Sequence, residues 1–271
     1  MPRTSTYPAM QSHVELHAQA LLFSFLGLDG RDVFKPVHGA LLSAYLSMSK
    51  ALAPGATVEI GAHEARYSRS VRRALPAETP VIAFEANPDV HAQHAPALTA
   101  GGVDYRNLAV SDSVGTLRFR VPVVRGQEAR TMGSLRDFGG MTEHVEYQVP
   151  SIRLDDLGLQ RAMLWIDVEG ATGEVLAGAE ETLRTVLAAF IEVEEDERWP
   201  GQMTAAEVID HFADRGFVGL LRDTQRNWQY NVIFVRRELI FDHRIAPFRT
   251  RYFAELRRLA GLTPAATATE S

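Results

Sequence analysis

Between residues 56 and 236, short apolar runs of strand length alternate with segments of helical periodicity, and this alternation constrains the fold more than any other feature. Residues 56–60 are β-branched and end in a small-residue turn; residues 67–75 follow at helical spacing and stop at Pro76. The pattern repeats in the apolar run 80–85, the helix 90–100 closed by Gly101-Gly102, and the run 103–107. Further on, apolar runs at 163–168 and 187–193 flank a helical stretch over 173–185. A strand covered on both faces reads as a continuous apolar run, and parallel neighbours need a crossover between them. The spacing therefore predicts an α/β fold, a mostly parallel sheet with helices on both faces.

Two segments break the alternation. Residues 116–121 and 145–152 have strand composition and frame a polar, glycine-containing loop over 125–142, which predicts a small antiparallel insertion over 116–152. After a helix at 205–215, the runs 217–222 and 231–236 form a closing, hairpin-like pair. Upstream, residues 12–52 read as helical, with Ser12 placed to cap a first turn and Leu16, Ala20, Phe23 and Leu26 at helical spacing. The expected organisation is an N-terminal helical extension (1–54), a core domain (55–240), and a C-terminal helix with a disordered tail, TPAATATES (241–271).

Composition acts by exclusion. The absence of cysteine rules out thiolate metal sites, iron–sulfur clusters and cysteine nucleophiles. A net charge of -6, from 28 Lys and Arg against 34 Asp and Glu, argues against a nucleic-acid partner, because such binding draws on phosphate neutralisation. No apolar run reaches the ~18 residues of a membrane span, and MPRTSTYPAM is not followed by a signal-peptide core, so a cytoplasmic location is expected.

Four constellations carry candidate chemistry. In Glu59-Ile60-Gly61-Ala62-His63-Glu64-Ala65-Arg66-Tyr67-Ser68 an apolar strand enters a small-residue turn and then a helix, whose N-terminus offers unpaired N–H groups. The G-x-G-x-x-G of dinucleotide enzymes is not met, and Glu59 suits a cationic ligand better than a phosphate. An ordinary βα turn fits the same residues. One unit later Glu85, in Phe84-Glu85-Ala86-Asn87-Pro88, ends the second strand where an acidic side chain can accept ribose hydroxyls; a solvated strand end or helix cap is the plainer alternative. In Trp165-Ile166-Asp167-Val168-Glu169-Gly170, alternation puts Asp167 and Glu169 on one side at the carboxyl end of a strand, where they need a proton, cation or metal between them, or else serve as a cap and its solvated neighbour. The acid-rich stretch 192–197 reads as a solvated strand end, although Glu192 and Glu194 share a face that could border the same cleft as Asp167.

Taken in order and spacing, these segments, with Ser151-Ile152-Arg153-Leu154-Asp155-Asp156-Leu157, resemble the FkbM family of S-adenosylmethionine-dependent methyltransferases from about Ala56 to Arg236. The resemblance implies a class I methyltransferase fold, Rossmann-like, with a seven-stranded sheet, and O-methylation of a hydroxyl on a sugar, glycoconjugate or polyketide-like natural product. It implies that Glu59, Gly61, Ala62, His63, Tyr67 and Ser68 line the methionine and ribose part of an S-adenosylmethionine pocket. Glu85 would hold the ribose with Ala86 beside the adenine, and Asn107, Ala109 and Ser111 would approach the base from the third strand. Asp167 would face the methyl-donor end. The family's usual Asp, Asn and second Gly stand here as Glu59, His63 and Ala65, the last expected in the right-handed helical region with altered contacts.

Methyl transfer from a sulfonium needs in-line positioning and, for a hydroxyl, a base. Asp167 or Glu169 could serve, directly or by holding Mg2+, with Glu194 bordering the site and His144 as a further base on the insertion. Arg125, Arg130 and Arg136 could bind the acceptor from the insertion, and the N-terminal helices could cap the cleft or form a homodimer contact. Two other readings fit parts of the pattern: a nucleotide-dependent oxidoreductase, and a methyltransferase-like binding module without catalysis.

Overall fold

A computed structural model describes residues 7–30, 32–137, 143–226 and 228–262. The expected tail TPAATATES, from residue 263, lies outside the described residues, as does 138–142 of the loop expected over 125–142.

Along the chain the elements are α1 (Tyr7–Leu26), α2 (Phe34–Leu52), β1 (Ala56–Ile60), α3 (Arg66–Ala74), β2 (Val81–Phe84), α4 (Pro88–Ala100), β3 (Asp104–Arg106), β4 (Ala109–Val110) and β5 (Gly115–Val124). They continue with β6 (Gln127–Glu128), β7 (His144–Ile152), β8 (Ala162–Ile166), α5 (Thr172–Ala177), β9 (Ala188–Glu194), α6 (Ala205–Asp214), β10 (Phe217–Arg222), β11 (Gln229–Arg236) and α7 (Ala246–Leu259). The main sheet has seven strands in the order β10-β11-β9-β8-β1-β2-β3, parallel except for β11, which runs antiparallel to both β9 and β10. This is the class I methyltransferase arrangement: the chain moves outward through β1, β2 and β3, then restarts on the other side of β1 with β8. Open α/β sheets bind ligands outside the carboxyl ends at such a switch point, here the crevice between β1 and β8.

Every residue of β1 and β8 is buried, as the continuous apolar runs require, and the two strands are in register from Ala56↔Ala162 to Ile60↔Ile166. Beneath the switch point Trp165 stacks on Phe190 at 3.8 Å and on Tyr67 at 5.2 Å, joining β8, β9 and α3. The insertion forms a second sheet, β4-β7-β5-β6.

Three expectations change. The stretch 173–185 is not one helix: α5 ends at Ala177, the Gly178 carbonyl is taken by the Asp155 N–H (2.9 Å), and Gly178 packs so closely on the Ser111 backbone that a Cβ there would lie 2.0 Å from its carbonyl oxygen. The third strand ends at Arg106, so Asn107 lies beyond it and Ala109 belongs to β4, which pairs with β7 in the smaller sheet. Ser12 does not cap a first turn: α1 starts at Tyr7, and Ser12 lies buried inside it, facing the core. Edge strand β10 would expose unpaired backbone groups, and α1 satisfies them: Ser12 Oγ accepts the Gly219 N–H (3.1 Å), and the Gln19 amide donates to Leu220 O (2.9 Å) and accepts the Arg222 N–H (3.0 Å). Among the described residues no helix is long and apolar enough to cross a membrane.

Candidate active site

The site begins with the turn between β1 and α3. Gly61 has φ +77°, and a Cβ there would meet Asp167 O at 1.9 Å, so the turn rests directly on the backbone leaving β8. The Asp167 N–H donates to Ile60 O (3.0 Å), and the Gly61 and Ala62 N–H groups donate to Phe84 O. His63 and Ala65 both adopt left-handed backbone, with φ 45° and 51°. This corrects the expected right-handed conformation at Ala65; α3 starts only after it, and the turn between Gly61 and the helix needs the left-handed bend. Each such residue costs about 1–2 kcal/mol and persists where neighbours over-determine it. His63 is so held: its N–H donates to Glu85 Oε2 (2.7 Å) and its carbonyl accepts the Tyr105 hydroxyl. Ala65, fully buried, is not clamped by a side chain in the same way, and Ala65→Gly is expected to stabilise the fold by ~0.5–1 kcal/mol, the relief of left-handed strain less the added entropy of the unfolded chain. Thermal denaturation checks the sign; an unchanged or lower midpoint means that the Ala65 methyl contributes packing larger than its strain.

Glu59 is buried, and its carboxylate accepts the Ser68 N–H (2.7 Å) and the Tyr67 N–H (3.4 Å), capping the first turn of α3 from within. Burial pushes its carboxyl up to about 7, opposed by these hydrogen bonds. The helix N-terminus that cradles a pyrophosphate in a dinucleotide fold is therefore filled by the protein's own carboxylate, which removes the physical basis of the oxidoreductase reading.

Glu85 follows β2. Its Oε2 is taken by the His63 N–H and its Oε1 by the Asn87 N–H, both at 2.7 Å. A carboxylate has about four acceptor positions, so roughly two remain. Burial pushes Glu85 up to about 7 against these donors. Asn87 caps α4 through Asp89 and Val90, while the Asn107 amide donates to Glu85 O (2.8 Å) and Ala86 O (3.1 Å), bracing the end of β2.

Above the switch point lies a cavity of about 730 Å³. Of the residues expected in the cofactor pocket, Glu59, Gly61, Ala62, His63, Tyr67, Glu85, Ala86, Ala109 and Asp167 line it. Ser68, Asn107 and Ser111 do not: Ser68 supplies the N–H that holds Glu59, Asn107 braces β2, and Ser111 packs under Gly178. Glu169 lines the cavity, as does Glu192, whereas Glu194 lies behind it and accepts the Gln202 amide (2.6 Å). Asp167 keeps accessible surface that opens into the cavity, and the surrounding protein pushes its carboxyl up to about 6, with His38 pulling it down and Glu194 adding to the rise. Glu169 is pushed up to about 8 by burial and by the charges of Asp167 and Glu194, and Glu192 is raised by burial, Asp167 and Glu169. Carboxylates crowded into one concave wall favour a bound cation. Among the described residues no group of three or more metal-ligating side chains is placed to hold a metal ion, so the geometry lends no support to Mg2+ at Asp167 and Glu169.

The insertion covers one side. Ser134 Oγ donates to Glu169 O (2.6 Å), Tyr147 donates to Asp89 (2.8 Å), and Arg136 is spent on Glu174 and Pro200 O, both at 2.6 Å. Arg130 lines the cavity; Arg125, at the β5–β6 turn, and His144, exposed at the start of β7, do not. The opposite wall is α2, through Phe34, Lys35, His38 and Leu42. His38 was not legible as a site residue, because its partner Asp223 lies 185 residues away in sequence.

Comparison with curated protein sequences gives no match. Among solved structures the chain is similar to a SAM-dependent methyltransferase from Aquifex aeolicus (12% identity, 85% of this chain and 99% of that one, TM-score 0.39). It is also similar to the O-methyltransferase from Bacillus cereus in complex with SAH (12% identity, 84% and 99%, TM-score 0.40). A third is 1,6-didemethyltoxoflavin-N1-methyltransferase from Burkholderia thailandensis (16% identity, 83% and 89%, TM-score 0.39). The family model of the methyltransferase FkbM domain matches residues 59–218, more than half of the chain, from the Glu59 turn to the start of β10. With that match laid over a β3-β2-β1-β8-β9-β11-β10 sheet and an acidic cavity at its switch point, the chain belongs to the FkbM methyltransferase family.

Proposed function

We propose that this protein transfers a methyl group from S-adenosylmethionine to a hydroxyl of a sugar, glycoconjugate or polyketide-like natural product. One observation carries the cofactor: Glu85 is fixed by two backbone donors at the end of β2, with acceptor positions to spare on a cavity that Asp167, across β1, also lines. That donor set fits the cofactor, because a diol needs paired acceptors and a sulfonium needs negative charge. The hydroxyl acceptor rests on the family resemblance.

S-adenosylmethionine supplies an electrophilic methyl on a positively charged sulfur. The chain's part is to orient and to shield. Glu85 holds the ribose, with Ala86 and Ala109 leaving room for the flat base, and Asp167, with Glu169 beside it, faces the positive centre. Trp165 and Tyr67 give the floor an apolar surface that excludes water. Holding the reacting atoms in line supplies up to about 7–11 kcal/mol of the acceleration. On this reading the insertion over 116–152 and α2 enclose the acceptor, and the domain limits 1–54, 55–240 and 241–271 separate cap, catalytic core and C-terminal helix.

The test is calorimetry with S-adenosylmethionine and S-adenosylhomocysteine, then transfer of tritiated methyl to acceptor probes, methyl α-D-glucopyranoside and methyl α-L-rhamnopyranoside. One-to-one binding of both cofactor forms and label in the sugar are expected; no heat with either overturns the proposal and leaves a binding module without cofactor.

The raised carboxyls set a pH dependence. Asp167 (about 6), Glu85 (about 7) and Glu169 (about 8) carry protons in the free protein below those values, whereas a bound cation and ribose favour their ionised forms. Affinity for S-adenosylmethionine therefore rises as pH increases through about 6 to 8, with protons released on binding, and S-adenosylhomocysteine, lacking the sulfonium charge, rises less. Calorimetry in buffers of different ionisation enthalpy reads the proton count; a flat profile would show that these carboxyls do not meet the ligand.

A further inference from the structure

The cavity has two ends. It runs over β2, β1, β8, β9 and β11, and with neighbouring strands about 4.8 Å apart its Glu85 and Asn231 ends are separated by roughly 20 Å. A cofactor gripped at Glu85 with its positive centre at Asp167 occupies the β2–β1–β8 half. The β9–β11 half, walled by α2, is left for the acceptor.

Of the two polar side chains that α2 presents there, Lys35 and His38, it is His38 that is held by a buried partner. Its Nδ1 lies 2.9 Å from Asp223 Oδ2, and Asp223 is fully buried. The same carboxylate accepts the Asn231 backbone N–H at Oδ1 (2.7 Å) and the Asn231 side-chain amide at Oδ2 (3.0 Å), so it is clamped in place. A carboxylate oxygen can only accept, which puts the imidazole hydrogen on Nδ1 and leaves the Nε2 lone pair free in the neutral ring. Among the described residues Nε2 has no hydrogen-bond partner, and the ring packs against Phe34 (5.4 Å) and, at nearly a right angle, Phe190 (6.0 Å), with His38 and Phe34 on the cavity wall. Glu169 and Glu192 line the same cavity, but Glu169 lies two residues from Asp167 in the cofactor half and the Glu192 carboxylate already accepts the Gln229 amide (2.6 Å).

We propose that His38, oriented by Asp223, is the general base that receives the proton of the acceptor hydroxyl; the inference rests on the methyl-transfer reading above. As the acceptor oxygen forms its bond to the methyl carbon, the O–H bond breaks and the proton passes to Nε2. The carbon–sulfur bond breaks with its electron pair kept by sulfur, and the imidazolium returns the proton to water. Asp223 is a positioning residue: it fixes the tautomer and stabilises the charged ring.

Two measurements test this. Long-range proton–nitrogen spectra of histidine-labelled protein, assigned by loss of the signal in His38→Gln, should show His38 as the Nδ1–H tautomer, and Asp223→Asn should abolish that preference. This readout needs no acceptor, and an Nε2–H tautomer in the wild type overturns the proposal. With the methyl glycoside probes, His38→Gln should lower kcat by ~10²–10⁴-fold, and Asp223→Asn should lower it in parallel. Affinity for S-adenosylhomocysteine should stay within threefold in both. Turnover within threefold of wild type, or lost cofactor affinity in a folded His38→Gln, removes His38 as base while leaving the methyltransferase reading intact. A wild type that binds no cofactor overturns that reading itself, and the base with it.

Discussion

Glu85→Gln is expected to weaken S-adenosylhomocysteine binding by ~10–10²-fold. The carboxylate spends one oxygen on the His63 N–H and the other on the Asn87 N–H, and its remaining acceptor positions face the cavity. An amide keeps one acceptor oxygen and puts an NH₂ where the other was. One backbone N–H then meets a donor, and at most one ribose hydroxyl finds an acceptor. Losing a hydrogen bond to a charged group costs about 1.5–3 kcal/mol; the one ribose bond lost amounts to about one to two decades in affinity. The stranded N–H costs stability separately, about 1–3 kcal/mol. Calorimetry and thermal denaturation on the same sample separate the effects. A lower melting point with affinity within fivefold of wild type would make Glu85 a brace for the turn and not a ligand for ribose.

The second large effect is structural. Gly61→Ala should destabilise the protein by at least about 4 kcal/mol, lowering the melting point by roughly 8–16 °C. The added Cβ would sit 1.9 Å from Asp167 O and 2.9 Å from Asp167 C, backbone atoms with no freedom to rotate away. Relief means prising β8 from β1 at the point where the Asp167 N–H bonds Ile60 O, or turning the Gly61 peptide away from Phe84 O. The left-handed φ of +77° adds about 1–2 kcal/mol. Gly158→Ala isolates that last contribution, because Gly158 has φ +59° and nothing within 4 Å of a Cβ. It should cost only about 1–2 kcal/mol. Equal losses for the two variants would mean that the turn yields where the structure shows it wedged.

The opposite sign expected for Ala65→Gly, four residues along the same turn, shows how far one sequence motif can be read. Glu59, Gly61 and Glu85 were legible because a strand end, a tight turn and a helix start each leave a local mark. The conformation of Ala65 was not. Alanine carries no signal for left-handed backbone, which here is imposed by the distance from Gly61 to the start of α3. Asn107 and Ser68 were legible as neighbours of the site, yet their side-chain and backbone donors are directed at the protein, at Glu85 and Ala86 carbonyls and at Glu59. The stop at Ala177 was hidden for the same reason, since the Gly178 carbonyl beyond it is turned to the Asp155 N–H, which comes from a distant part of the chain.

The amino-acid order alone determined the layered α/β class, the chain position of the βα units, and the placing of acidic residues at strand ends. Burial on two faces and helical crossovers write themselves into hydrophobic periodicity, which is a property of near neighbours. Tertiary structure alone decided which strand ends adjoin, so that Gly61 lies against Asp167, and which distant groups meet, so that His38 of α2 faces the cavity with Asp223 behind it. Those contacts join residues a hundred or more positions apart. They are set by how whole elements pack, and no local pattern in the chain encodes them.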